Sequence, residues 1–402
     1  MNSKLQRIEL ENGLKLLVEQ TNDDTIAIAI GVKIGSIFEK SEVRGISHLL
    51  EHMMFKSNRK YSYKEISSIL ELLGGDFNAF SARDKTVYYA EVLRENFPKV
   101  VDVLYHMFVN DCYKESEFEK EKSVVLSEIR NERNNSESWI WTLGPLSLYG
   151  KSDLGDPIMG YEETLANISK AELEDFKAKY YVANNMQIVL VGGISRESLE
   201  IVKNLFRGIE GGSVRLKRPE RGISKEIVEI RREESLAYYA YTWEVPGFKQ
   251  APLEKANILY YLLTEGSTSL LFDRVREQKG LSYSVGALYD VFESTGYFSV
   301  VVSGFLADKI DEVRETIREI LKEISERKLD KSYIEGRKNY TLFSYKTELR
   351  DLMTRASLHC SLLMDIGKSI WEFIERMIEI DWNSLDLSNF LRKGVEAIIT
   401  PR

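Results

Sequence analysis

Four histidines occur in 402 residues, and two of them share one short segment, GISHLLEHMMFKS, residues 45–57. His48 and His52 are four positions apart. On a helix rising about 1.5 Å per residue they lie about 6 Å apart on one face. That spacing lets two imidazoles reach one tetrahedral zinc ion at about 2.0–2.1 Å each. Glu51 stands three residues past His48 and one before His52. It borders the same face without having to be a ligand. A carboxylate so placed can take a proton from a metal-activated water, the task of a general base in hydrolysis. Leu49, Leu50, Met53 and Met54 surround these groups. Three titratable side chains in so apolar a helix would be costly to bury without a partner.

A catalytic zinc needs a third protein ligand and one open position. The acidic stretch ESEFEKEKSVVLSEIRNERNN supplies candidates. Glu121 and Glu128 are two turns apart on one helix face, and Val124, Val125 and Ile129 mark that helix as partly buried. Spacing alone leaves both Glu128 and Glu132 open as the ligand.

The elements that must position these groups can be read from periodicity. LKLLVEQ and TIAIAIGVKIGS alternate like paired strands and precede the histidine helix. Ile66, Ile69, Leu70 and Leu73 repeat at helical spacing, with Gly74 placed to end the helix. NAFSARDKTVYYAEVL reads as a hairpin, followed by the helices of ENFPKVVDVLYHMFVN and residues 114–134. The next stretch reads as a loop rich in Gly and Ser. A helix, the buried strand MQIVLVGGI and another helix complete the first half. GIEGGSVRLKRPERGIS reads as a linker.

Beyond the linker the same order restarts: strands, a helix pair, a hairpin at LSYSVGALYDVFESTGYFSVVVSG, two long charged helices and a short strand, AIIT. An internal duplication of an α+β unit follows from this repeat. The expected divisions are 1–212 for an N-terminal zinc-binding domain, 213–222 for the linker and 223–402 for a C-terminal domain. The second half has NILYYLLTE where the first has SHLLEHMMF.

Composition sets the outer limits. A net charge of −8 and the lack of a Lys/Arg block argue against a nucleic-acid partner. Cys112 and Cys360 are far apart in the sequence and form neither a disulfide framework nor a CxxC site. No apolar run suits a signal peptide or a membrane span, so a cytoplasmic protein without a membrane partner is expected.

HLLEH is the inverted zinc motif HxxEH, and the wider segment resembles the M16 (pitrilysin) metallopeptidase family. VVLSEIRNE resembles the family segment that carries the third zinc ligand, which makes that ligand Glu128. An important glutamate two turns earlier in the family falls on Glu121, which would orient one of the histidines. GGDFNAFSARDKTVYYAEVL resembles the substrate-binding edge strand, giving Asn78, Ala79 and Phe80, with Phe80 a candidate wall of a side-chain subsite. STSLLFDRVREQKGLSYSV resembles an arginine–tyrosine segment, giving Arg276 and Tyr283. The tyrosine would donate to the developing oxyanion and the arginine would hold substrate or the tyrosine. Two positions depart from the family wording. Ser57 and Asn58 follow FK in place of Gly-Thr, and a Gly-rich run is reduced to TEGSTS. Neither touches the metal residues.

The resemblance implies two homologous domains, each an antiparallel-rich sheet covered by helices, as in the LuxS/processing-peptidase-like metallohydrolase fold. It implies one zinc per chain and a short subfamily like the mitochondrial processing peptidase. In that subfamily two chains close around a chamber, as a homodimer or as a heterodimer with a related subunit. The expected function is a zinc endopeptidase for peptides or unfolded segments, with Glu51 as base. Two alternatives share the fold: a non-catalytic scaffold subunit and a protease dedicated to presequence removal or peptide maturation. The isolated histidines, His106 and His359, read as structural, and Trp139 and Trp141 as packing.

Overall fold

The computed structural model describes residues 4–222 and 227–402. The expected first residues of the C-terminal domain, 223–226, and the first three of the chain lie outside them.

Two compact units are present. The first holds residues 1–130, 157–219 and 347–370. Its sheet contains β1 (Lys4–Glu9), β2 (Lys15–Gln20), β3 (Thr25–Val32), β4 (Gly75–Ser81), β5 (Thr86–Leu93) and β6 (Met186–Gly192), in the order β1-β2-β6-β3-β5-β4. All pairs are antiparallel except β2 with β6. The second unit holds 131–156, 220–346 and 371–402. Its strands are β7 (Val228–Arg232), β8 (Ala237–Pro246), β9 (Ser284–Val291), β10 (Thr295–Phe305) and β11 (Val395–Pro401), ordered β7-β11-β8-β10-β9. Again only one pair, β11 with β7, is parallel. Apart from β1, the two orders are the same when strands are matched by position, as a duplicated α+β unit requires.

The division is not a single cut in the linker. The helix Ser136–Tyr149 from the first half packs on β8, β10 and β11, while Leu352–Ile366 from the second half packs on β3, β5 and β6. Each unit therefore takes one covering helix from the other half of the sequence. Residues 136–149 read as loop in sequence because Gly144 and Pro145 interrupt the helical pattern. The glycine has a packing reason. A Cβ at Gly144 would stand 2.5 Å from Thr242 Oγ1 and 2.8 Å from Ser299 Oγ, so only Gly permits this close approach to the sheet.

Strand residues face alternate sides, and both sides of the first sheet are buried. Ile26, Ile28, Ile30 and Val32 of β3 join the core that includes Leu49, Leu50, Met53 and Met54. Ala27 and Ala29 join Val189, Val191, Leu352, Ala356 and Cys360 on the other side. The helix Leu352–Ile366 is also tied by charge. Asp365 receives Lys33 Nζ at 2.8 Å and also Lys85 Nζ, while Lys33 reaches Asp84 at 2.6 Å. Burial alone would raise the Asp84 pKa. The two lysines outweigh it and hold that carboxyl well below the usual range. Both cysteines are free thiols. Among the described residues no helix is long and apolar enough to cross a membrane.

Candidate metal and catalytic site

The histidines lie on the helix Ile46–Met54. Its inner face, with Ile46, Leu49, Leu50, Met53 and Met54, is fully buried. At roughly 2 kcal/mol per buried side chain this anchors the helix firmly to the sheet. Its start is fixed by two devices. Gly45 has φ 95°, and a Cβ there would lie 2.3 Å from Met159 O, so the turn into the helix needs glycine. The buried Glu39 then accepts from the amides of Gly45 and Ser47, both at 2.8 Å. Burial lifts the Glu39 pKa from 4.5 to about 7, against those donors and the charge of Arg44.

His48, His52 and Glu128 come together, with one ligand atom from each lying within 4.8 Å of the others. His52 Nε2 is 3.5 Å from Glu128 Oε2, and its Nδ1 is 3.5 Å from Glu121 Oε2. Glu121 therefore flanks the ring from the side opposite Glu128. Glu132, the other sequence candidate, accepts from Thr142 at 2.6 Å and is not in this group. His48 Nδ1 is buried with no hydrogen-bond partner among the described residues. Burial first, and the neighbouring His52 second, push the His48 pKa down to about 3. A neutral imidazole is the form that binds a metal. Two imidazole nitrogens and one carboxylate, with no protein group among the described residues competing for the buried His48 nitrogen, fit the donor set of a catalytic zinc site.

Glu51 lies outside that triplet. Its Oε2 accepts the Ser81 hydroxyl at 2.5 Å. Burial raises the Glu51 pKa, partly offset by Ser81 and His52 and reinforced by Glu128. A carboxyl so raised holds a proton more readily, as a base that later acts as an acid must.

Two contacts escaped the sequence reading. Ser81 was visible only as part of a strand. Lys56 Nζ pairs with Glu121 Oε1 at 2.7 Å, and its signal was the lysine one turn after His52.

Asn78, Ala79 and Phe80 lie on β4, the last strand of the sheet. Phe77 and Ala79 pack toward the core that contains the histidine helix. Phe80 points the other way, beside Tyr89 at 6.1 Å between rings and against the cluster of Leu352, Ala356 and Cys360. It is therefore not on the face that carries the histidines.

In the second unit, Arg276 lies on a π-helical turn, Phe272–Gln278, a rare geometry often found at functional sites. Its guanidinium carbon is 4.6 Å from the Phe272 ring centroid and 4.0 Å from that of Tyr283. Tyr283 is 78% exposed despite that stacking. Arg337 fixes the preceding loop, donating to the carbonyls of Thr264 and Glu265 at 2.7 Å each.

The two remaining histidines stand apart from the triplet. His359 is fully buried, with Nε2 2.8 Å from Glu19 and Nδ1 accepting from the Ile370 amide. His106 Nδ1 lies 2.8 Å from Asp102 O.

Residues 15–160 match the family model described as insulinase (peptidase family M16), and 167–340 match the M16 inactive domain. The chain belongs to peptidase family M16. A Bacillus subtilis protein named as an uncharacterized zinc protease, YmxG, is 30% identical over 99% of this chain and 98% of its own length. A Rickettsia felis protein, also named a zinc protease, is 29% identical over 85% of each chain. The fold matches a Helicobacter pylori protease structure with a TM-score of 0.92, 20% identity and full coverage of both chains. It also matches a Pseudomonas fluorescens M16 inactive-domain structure, with a TM-score of 0.88 and 17% identity over 99% of this chain and 98% of the other.

Proposed function

We propose that this M16 chain is a zinc-dependent endopeptidase for peptides and unfolded segments. The observation that carries this reading is the meeting of His48, His52 and Glu128, with Glu51 beside them and held by Ser81. Relatives named as zinc proteases support the choice of metal.

His48, His52 and Glu128 hold one zinc per chain. When bound, zinc supplies Lewis acidity, which acidifies water and polarises a carbonyl oxygen. Glu51 takes the proton from the attacking water and delivers it to the leaving amine. Glu121, with Oε2 3.5 Å from His52 Nδ1, favours the tautomer that carries its proton on Nδ1 and leaves Nε2 free. Lys56 keeps the Glu121 carboxylate turned toward that ring. The open edge of β4 receives substrate as an added strand through main-chain hydrogen bonds. Arg276 and Tyr283 of a second copy complete the site, the tyrosine donating to the oxyanion and the arginine holding its ring. Two copies then enclose a chamber that admits extended chains and excludes folded domains.

Metal analysis paired with cleavage of a mixed peptide library tests this reading. The expected result is about one zinc per chain and cleavage abolished by chelation. Protein that takes up no zinc and cuts no peptide when zinc is supplied is a scaffold of the same fold.

A further inference from the structure

Among the described residues β4 has a bonded neighbour, β5, on one side only. At the hairpin the Ala82 amide donates to Lys85 O at 2.8 Å. In an antiparallel pair, alternate residues turn their N–H and C=O toward the partner. Residues 76, 78 and 80 therefore face β5, and the amides of Phe77, Ala79 and Ser81 point to the open edge. Two of the three, Phe77 and Ala79, are occupied from within the chain. Phe77 donates to Asp76 Oδ1 and Ala79 to Asn78 Oδ1, both at 2.8 Å. At the end of the edge the Ser81 hydroxyl donates to Glu51 Oε2 at 2.5 Å. Asp76 and Asn78 are exposed side chains that could be hydrated. Each instead folds forward by one residue onto an amide of the edge.

We propose that Asp76 and Asn78 are displaceable covers of the edge strand and determine which segments can add to it. The inference rests on the reading of β4 as the substrate edge. A bare edge pairs with any extended chain, including another copy of itself. With the covers in place, each new main-chain bond replaces one already made, and the net gain per bond is small. A segment gains only when it can make several bonds in register, which favours extended chains and rejects short exposed loops. Pairing runs past Phe77 and Ala79 toward Ser81, whose hydroxyl is committed to Glu51. The added strand thus ends beside the carboxylate. The Asp76 cover is charge-assisted and the harder to displace. Once displaced, its carboxylate stands beside the added strand and disfavours acidic segments.

The test uses the full chain carrying Glu51→Gln, so that bound peptide survives. Binding of a fluorescein-labelled unstructured neutral peptide is measured by anisotropy, with amide hydrogen exchange followed over residues 75–81. Asp76→Ala and Asn78→Ala should each tighten Kd by roughly two- to fivefold, and the pair by roughly tenfold. The amides of Phe77 and Ala79 should exchange faster in the free variants. Asp76→Asn, which retains a cover without the charge, should help an acidic peptide more than the neutral one. If peptide protects 75–81 but the double variant binds no more tightly than its parent, the covers are incidental and the proposal is wrong. If peptide leaves 75–81 unprotected, the edge-strand reading itself fails and takes this inference with it.

Discussion

The Ser81 hydroxyl donates to Glu51 Oε2 at 2.5 Å, joining the end of the edge strand to the helix that carries both histidines. In the proposed mechanism, substrate recognition along β4 and proton transfer at Glu51 share one side chain. Removing that donor takes away a stabiliser of the ionised carboxylate, so the Glu51 pKa should rise further. Ser81→Ala is expected to move the acid limb of the kcat/KM profile to higher pH and to lower activity at neutral pH by roughly three- to tenfold. An acid limb that stays in place would mean that Ser81 is a bystander to the base.

Glu51 and Glu128 are both glutamates near His52, yet only Glu128 joins the ligand triplet. Glu51→Gln should therefore retain zinc while losing most turnover, and Glu128→Gln should lose zinc affinity as well. Zinc content after dialysis, set beside peptide cleavage, reads both. Loss of zinc from the Glu51 variant with retention in the Glu128 variant would reverse the two assignments.

Glu39 makes a prediction independent of metal. Its folded-state pKa, about 7, lies above the ordinary value of 4.5. Between those values the native state holds more proton than the unfolded chain. The stabilising contribution is full below about pH 4.5 and is lost as pH rises through about 7. Glu39→Gln cannot titrate, so its stability relative to the parent should improve across that window, by on the order of 2–3 kcal/mol. Chemical denaturation of both proteins at a series of pH values measures the difference. A difference that stays constant with pH would show that the carboxylate ionises in the fold without cost.

Much of this was legible in the sequence because it depends on local spacing. His48, Glu51 and His52 fall within two turns of one helix, and their apolar neighbours announce the buried face. Glu128 was harder. It lies on a separate helix, and only the family wording separated it from Glu132, which in the fold turns to Thr142. The exchange of covering helices was not legible. The helix Ser136–Tyr149 buries residues against a sheet formed much later in the chain, and its Gly144 and Pro145 imitate a loop locally. Phe80 shows a similar limit. Period-2 alternation tells that neighbours on a strand face opposite sides, but not which side holds the histidines.

The proposed sharing of one site between two copies can be tested by complementation. The second half of the sequence has NILYYLLTE in place of the histidine segment, and Tyr283 is 78% exposed while stacked on Arg276. An exposed tyrosine on a preorganised arginine is suited to meet a partner's substrate. Two inactive proteins test this, Glu51→Gln and the double variant Arg276→Ala with Tyr283→Phe. In a mixed dimer one site combines the intact zinc half of one chain with the intact arginine–tyrosine half of the other. Dissociation, mixing and reassociation should restore part of the activity, with about half of the dimers mixed if pairing is random. Each homodimer alone should remain inactive. If mixed dimers form, as native mass spectrometry can establish, and still cleave nothing, the arginine–tyrosine pair does not serve the zinc of the partner and the trans arrangement is wrong.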